Sequence, residues 1–245
     1  MTGRDWPPGL GLVRHENLDS TNEEARRLAR HGERGPLWIV ARTQTAGRGR
    51  RGRNWVSEPG NLFATLLIQP LCPIERSPQL GFAIGLSTAD LLGAYVAAAD
   101  VKLKWPNDVL VKGKKIAGIL IEACNSDTLA IGVGVNLVNA PSEAEFPAIS
   151  LIQAAGSAPD PEAALGLLAD RMHAWYEVWR EHGFAPLKTA WLARASGVGG
   201  DITVRLANEE LHGVFETLDD DGALVLRGKA GGLERVTAGD VFFRP

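Results

Sequence analysis

Apolar residues recur in two rhythms along this chain, and the point where one gives way to the other divides it. Residues 13–18 alternate weakly, like a half-buried strand, and stop at Asp19-Ser20-Thr21-Asn22-Glu23. Ser20 with Glu23 three positions on reads as a capping box. It opens a helix with a narrow face of Ala25, Leu28 and Ala29 that ends at His31-Gly32. Residues 37–41 and 62–68 read as buried strands, and the Ala/Gly/Leu-rich stretch 78–99 suits a buried helix better on length. A strand from 102 to 111 is broken at Pro106, which predicts an extended, exposed corner. A tight turn at 112–115 leads into a strand over 116–123, and a further strand covers 131–136. A long helix is predicted for 161–183. Its Leu165, Leu168, Met172, Trp175 and Trp179 stripe reads as core, not as an aromatic cofactor box. A short helix follows at 187–195. Beyond it the helical rhythm is lost: Ser196-Gly197-Val198-Gly199-Gly200 reads as a linker, and five short alternating runs up to 243 suggest a small barrel. The predicted organisation is a mixed α/β region over 1–196 and a β region over 197–245.

Composition narrows the function classes. At 45% hydrophobic residues and 245 in all, the chain is long enough for one sizeable core with a small appended unit. A net charge of −3 argues against a protein that coats nucleic acid through general basicity. Cys72 and Cys124 have neither metal-ligand nor disulfide spacing, and the five histidines are scattered, so no structural metal site is expected. Residues 1–12 hold no signal-peptide run, which points to the cytoplasm and away from membranes.

Against that acidic background, Gly47-Arg48-Gly49-Arg50-Arg51-Gly52-Arg53 concentrates positive charge in one loop between two strands, with Gln44 before it and Trp55 after it. Glycines let backbone N–H groups approach an anion while guanidinium forks neutralise it. Mutual repulsion of the arginines and glycine entropy predict a loop that stays loose until a ligand arrives. Taken alone, the run also fits a solvated basic face or an RNA-binding segment. A second block, Lys104-Trp105-Pro106-Asn107-Asp108, places an amide and a carboxylate at a sheet mouth, where turn capping is the plainer reading. By the period of two, Lys115 shares a strand face with Ala117 and Ile119. A third block, Gly132-Val133-Gly134-Val135-Asn136, leaves one strand face free of side chains until Asn136. A flat ligand could lie on it, or a helix could pack closely there. The following stretch, 137–149, reads as a mobile loop at the same edge.

In this order, Ser20-Thr21-Asn22, Gln44 with the Arg/Gly loop and Trp55, KWPND at 104–108, KKIAGIL at 114–120 and GVGVN at 132–136 resemble the biotin protein ligases. The resemblance extends over about residues 11–245. It implies a mixed-sheet α/β catalytic domain of the biotin/lipoate ligase type, like the class II synthetases, followed by an SH3-like C-terminal barrel. It also implies activation of biotin with ATP and Mg²⁺ to biotinyl-5′-AMP, then transfer to a lysine of the biotin carboxyl carrier domain of acetyl-CoA carboxylase. The expected form is a monomer or homodimer. About a dozen residues precede the matched region, too few for the DNA-binding domain of repressor members, so no DNA partner is expected. By the same resemblance Ser20, Thr21, Asn22, Gln44, Gly47, Gly49, Gly118, Gly132 and Gly134 would bind biotin. Lys115, Arg48 and Arg50 would act at the carboxylate and phosphate, and Arg51, Arg53, Trp55, Asn107, Asp108 and Asn136 would lie towards the nucleotide. The C-terminal unit would cover the mouth with its edge at 240–244 and add none of these ligand contacts. Lipoate-protein ligase and an Arg/Gly nucleic-acid module are the competing readings; a lipoate enzyme needs a long apolar slot in place of polar partners.

Overall fold

The computed structural model describes residues 6–70 and 72–243; Met1 and Arg244, at the ends of two expected features, lie outside them. Seven strands form one sheet in the order β1-β2-β3-β7-β6-β5-β4. These are β1 (Gly11–Leu18), β2 (Leu37–Gln44), β3 (Leu62–Ile68), β4 (Val101–Lys104), β5 (Asp108–Val111), β6 (Lys114–Ala123) and β7 (Leu129–Val135). Only β1 and β2 run parallel, because helix α1 (Thr21–Arg30) crosses between them, whereas the other neighbours pair antiparallel. The larger core lies under one face. There Val40, Leu66, Ile131, Val133 and Ile119 meet helices α2 (Leu80–Gly93), α4 (Pro161–His182) and α5 (Ala185–Leu192). A short helix α3 (Leu151–Ala155) carries a capping box from Ser150 to Gln153. On the other face α1 sets Ala25 and Ala29 on Ile39, Leu67 and Ala130, leaving the ends of β3–β7 uncovered.

Three local expectations are corrected. Helix α2 is shorter than the apolar stretch, because a 3-10 turn at Ile74–Gln79 precedes it and residues 94–99 leave the helix. The corner at Pro106 is not exposed: Trp105 is buried and donates Nε1–H to the Gly222 carbonyl at 3.1 Å, and its bond to Pro106 is cis. Ser20 is the N-cap of α1, but its side chain makes no capping bond, and Glu23 turns instead to Arg48 and Arg26.

The second sheet, β11-β10-β9-β8-β12, is antiparallel throughout. It comprises β8 (Asp201–Arg205), β9 (Glu210–Leu218), β10 (Leu224–Gly228), β11 (Leu233–Val236) and β12 (Asp240–Phe243), the five runs expected from alternation. It does not stand apart. Ile202, Val204, Phe215, Leu224 and Val241 belong to the same buried cluster as the large sheet, and Phe82 meets Phe184 and Trp191 edge-on beside Gly222.

Candidate active site

The uncovered face of the large sheet forms the floor of a cavity of about 470 Å³. Cross-strand register explains why it is open. Gly134 on β7 faces Gly118 on β6, Gly118 faces Asp108 on β5, and Asp108 faces Lys104 on β4. Paired residues in an antiparallel sheet share a face, so this row has no side chain for two strands and then two charged ones. Beside it, Thr65 on β3 faces Gly132.

Lys115 reaches this face by a device that alternation does not reveal. The pairing of β5 with β6 slips between Val109 and Leu110: Val109 faces Ala117, yet Leu110 faces Lys115. The extra residue is a β-bulge, and it reverses the side of everything N-terminal to it. Lys115 therefore leaves the face of Ala117 and Ile119, which point into the core, and joins Gly118. Its Nζ stands 2.6 Å from Asp108 Oδ1, an ion pair outside ideal hydrogen-bond angles, and 5.5 Å from the Trp55 ring.

One end of the cavity is a polar cluster at the start of α1. Gln44 Oε1 accepts from the Thr21 N–H at 2.8 Å and lies 3.2 Å from the Thr21 hydroxyl, while its amide nitrogen donates to Ser57 at 3.0 Å. Thr65 donates to Asn22 Oδ1 at 2.7 Å, and Asn22 Nδ2 donates to Glu122 at 2.9 Å. Each amide is thereby fixed in orientation. The Ser20 hydroxyl, released from capping, lines the same end.

The four loop arginines divide among three sets of partners, Arg51 and Arg53 sharing one carboxylate. Arg48 lies 2.9 Å from Glu23 and 3.7 Å from Glu122. Arg51 and Arg53 hold Asp240 of the second sheet at 3.1 and 2.8 Å, and Arg53 also meets Glu145 at 3.2 Å. Burial works to raise the Asp240 carboxyl, but Arg53, Arg51 and Arg205 together hold it below the usual carboxylate range. Arg51 stands in the left-handed region, at φ 56°, a conformation that costs a non-glycine residue roughly 1–2 kcal/mol. Its Asp240 contact helps to offset that cost. Among the described residues, the Arg50 side chain bonds only to neutral oxygens, Asn107 Oδ1 at 3.4 Å and the Gly239 carbonyl at 3.3 Å, and its burial lowers its pKa.

All the expected site residues line the cavity except Gly47 and Arg51. Gly47 is packed against Ser57 and the Trp55 carbonyl, where a Cβ would come within 2.6 Å of both, so it shapes the loop. Arg51 faces the second sheet. The glycine strip is not bare either: Trp55 lies over Gly118 and Gly134, its Nε1 buried without a partner, and Asn22 lies over Gly132. Residues that the sequence did not single out for the site include Glu122, Thr65, Glu145, Phe146 and Lys104. Asp240 and Val241, on the C-terminal edge expected to cover the mouth, also line the wall. Lys104 is 6% exposed, and its Nζ sits 3.7 Å from the Phe146 ring centroid. Burial is the largest cause lowering its pKa. The ring returns about 0.5–2 kcal/mol of the several that burying an ammonium costs.

Among the described residues, no group of three or more His, Cys, Asp or Glu is placed to hold a metal, and no helix is long and apolar enough to cross a membrane.

Comparison with known proteins matches this arrangement. The model of the biotin/lipoate A/B protein ligase family matches residues 16–137, and that of the biotin protein ligase C-terminal domain matches 199–244. The chain is 45% identical over 235 residues to the biotin--[acetyl-CoA-carboxylase] ligase of Paracoccus denitrificans, covering 92% of this chain and 97% of that protein. With the bifunctional ligase/repressor BirA of Bacillus subtilis it shares 32% identity, over 95% of this chain and 74% of that one. The biotin protein ligase of Aquifex aeolicus, solved in complex with biotin and ATP, superposes with a TM-score of 0.82 at 27% identity, over 96% of this chain and 98% of that chain. A cavity-floored mixed sheet, the ordered motifs and near-complete coverage agree: this chain belongs to the biotin/lipoate A/B protein ligase family and is a biotin protein ligase with that group's C-terminal domain.

Proposed function

We propose that the cavity binds biotin and ATP side by side, forms biotinyl-5′-AMP and diphosphate, and then delivers the biotinyl group to a lysine of a biotin carboxyl carrier domain. The observation that carries this reading is the polarity of the cavity. A cluster of fixed amide and hydroxyl groups lies at one end, Lys115 beside Asp108 and Arg50 on neutral oxygens lie towards the other, and a glycine strip roofed by Trp55 and Asn22 runs between them. A ureido ring needs the first, a carboxylate meeting a phosphate needs the second, and an aliphatic chain needs only the strip. Ser20, Thr21, Asn22 and Gln44 are assigned to the ring; Gly118, Gly132 and Gly134 to the chain; Lys115, Arg48 and Arg50 to the carboxylate and α-phosphate. Trp55, Asn107, Asp108, Asn136 and Arg53 are assigned to the nucleotide side. Gly47 and Arg51 become supports of the loop.

In the first step the like charges of carboxylate and phosphate must meet. Lys115 and Arg50 offset that repulsion and the charge that develops at phosphorus. In the second step the acceptor amine attacks the mixed anhydride and AMP leaves. Magnesium is assigned to the nucleotide as it enters. The polar cluster disfavours a lipoate ligase, and the paired state of three loop arginines disfavours a nucleic-acid grip. The proposed catalytic unit spans 1–196 and the C-terminal unit 197–245, acting in the cytoplasm without DNA, as a monomer or homodimer. Biotin-dependent exchange of labelled diphosphate into ATP tests the reading. Lys115→Ala should lower that exchange by about 10²–10³ with little change in ATP affinity, and a mutant as fast as wild type removes Lys115 from the role.

A further inference from the structure

Lys104 is a buried cation that none of these assignments uses. Among the described residues it makes no hydrogen bond or ion pair. Its ammonium lines the cavity on a seat of Phe146, with Phe242 and Phe243 at 5.8 and 5.6 Å. Asp108 and Asp240 lie near enough to favour its charge, and Lys115 and Arg53 oppose it. Among the described residues, Arg50 is the other cavity-lining cation with no carboxylate at ion-pair distance.

The register of the sheet fixes where Lys104 stands relative to the proposed reaction. The polar cluster is at the β2–β3 side, Gly134 and Gly118 follow, then Asp108 with Lys115, and Lys104 comes last on the edge strand β4. Neighbouring strands are about 4.8 Å apart, so Lys104 begins one strand beyond the carboxylate–phosphate meeting point. Phosphoryl transfer is in-line: the attacking and leaving oxygens stand on opposite sides of phosphorus. Here a biotin carboxylate oxygen bonds to the α-phosphorus from the polar-cluster side. The bond from that phosphorus to the bridging oxygen breaks, and the bridging oxygen carries its electron pair away on diphosphate, towards β4.

We propose that Lys104 binds the leaving diphosphate, receiving the charge that builds on it as the bond to the α-phosphate breaks. This rests on the adenylation reading above. Its aromatic seat holds the ammonium in place without neutralising it, so the charge stays available for an anion that arrives only with the nucleotide. The second step involves no diphosphate, and Lys104 has no role in it.

The two half-reactions therefore separate under mutation. Lys104→Met keeps the side chain's length and a soft contact with Phe146, and Lys104→Arg keeps the charge. In the full-length protein, Lys104→Met should lower diphosphate–ATP exchange by about 10²-fold and raise the KM for diphosphate at least tenfold, with Lys104→Arg recovering part of the loss. Transfer from supplied biotinyl-5′-AMP to a carrier domain should stay within roughly twofold of wild type, since no transition-state contact is removed there. An unchanged KM for diphosphate, or transfer that falls as far as exchange, overturns the proposal. Direct titration of inorganic diphosphate into biotin-saturated wild type, Lys104→Met and Lys104→Arg gives a readout independent of turnover, with weaker binding to Lys104→Met expected. A wild type without exchange would count against the adenylation reading alone, and equal diphosphate binding by all three proteins would count against Lys104.

Discussion

Gly132 carries more of the site than its missing side chain suggests. A Cβ there would collide with the Asn22 amide, which is locked between Thr65 and Glu122 and has nowhere apolar to retreat. Gly132→Ala should therefore unpair a buried amide and cost about 1–3 kcal/mol, read by urea unfolding, together with a loss of biotin affinity. Gly134→Ala meets the Trp55 ring at 2.5 Å and should displace it, which a shift in tryptophan emission would show. Just ahead of the same end of α1, Arg27 holds the Asp19 carboxyl down to about 2, against an ordinary value of 3.8. A depressed carboxylate stabilises the fold above its unfolded pKa and ceases to do so as pH falls through the folded one. Asp19→Asn should accordingly be less stable than wild type at pH 7, with the gap closing between about pH 4 and pH 2. The pair is partly open to water, so that gap should be only about 0.2–1 kcal/mol. Most residues of the candidate site were legible because glycines, amides and arginines stand in short ordered blocks. Lys104 was not. What makes it unusual is Phe146 and Phe242, which are brought to it from distant parts of the chain, and nothing local announces them.

At the scale of elements, strand and helix positions were readable from periodicity, but two functions of those elements were not. Alternation put Lys115 with Ala117 and Ile119, and a single extra residue in β6 moved it to the opposite face. Capping chemistry put Ser20 and Glu23 together, and a tertiary arginine drew Glu23 away. The arginine loop shows the same principle. Its expected self-repulsion is met by carboxylates from α1, from the 137–149 loop and from β12. Removing one of these ties should loosen one part of the loop selectively. In Asp240→Asn, tryptic cleavage after Arg51 and Arg53 should rise roughly fivefold, the equivalent of about 1 kcal/mol for a partly exposed pair. Cleavage after Arg48, which Glu23 holds, should change little. Mass spectrometry of a digestion time course separates these sites, and uniform acceleration at all of them would contradict the division.

For the molecule as a whole, the sequence indicated two units and a glycine-rich junction, and both sheets are found where the alternation placed them. The small size of the second unit also predicts an apolar face docked on the first, but not which residues join the two cores. Trp105, in the turn between β4 and β5, bonds to the Gly222 carbonyl, and Phe82 of α2 packs against the same glycine. Ending the chain after Gly199 would bare both rings, each worth about 1.5–3 kcal/mol of burial. At about 2–4 °C per kcal/mol the melting temperature should fall by roughly 10 °C. The truncated chain should thus lose biotin binding on warming well before the intact one, which a thermal-shift series with biotin would show. The shared core also bears on exchange of parts between relatives. The junction at 196–200 looks like a natural seam for recombination, yet a foreign C-terminal unit grafted there would have to reproduce the close backbone approach at Gly222 that Phe82 and Trp105 require. Inheritance at this seam is therefore linked: the turn around residue 222 and the α2 surface beneath it travel together or the chimera does not pack.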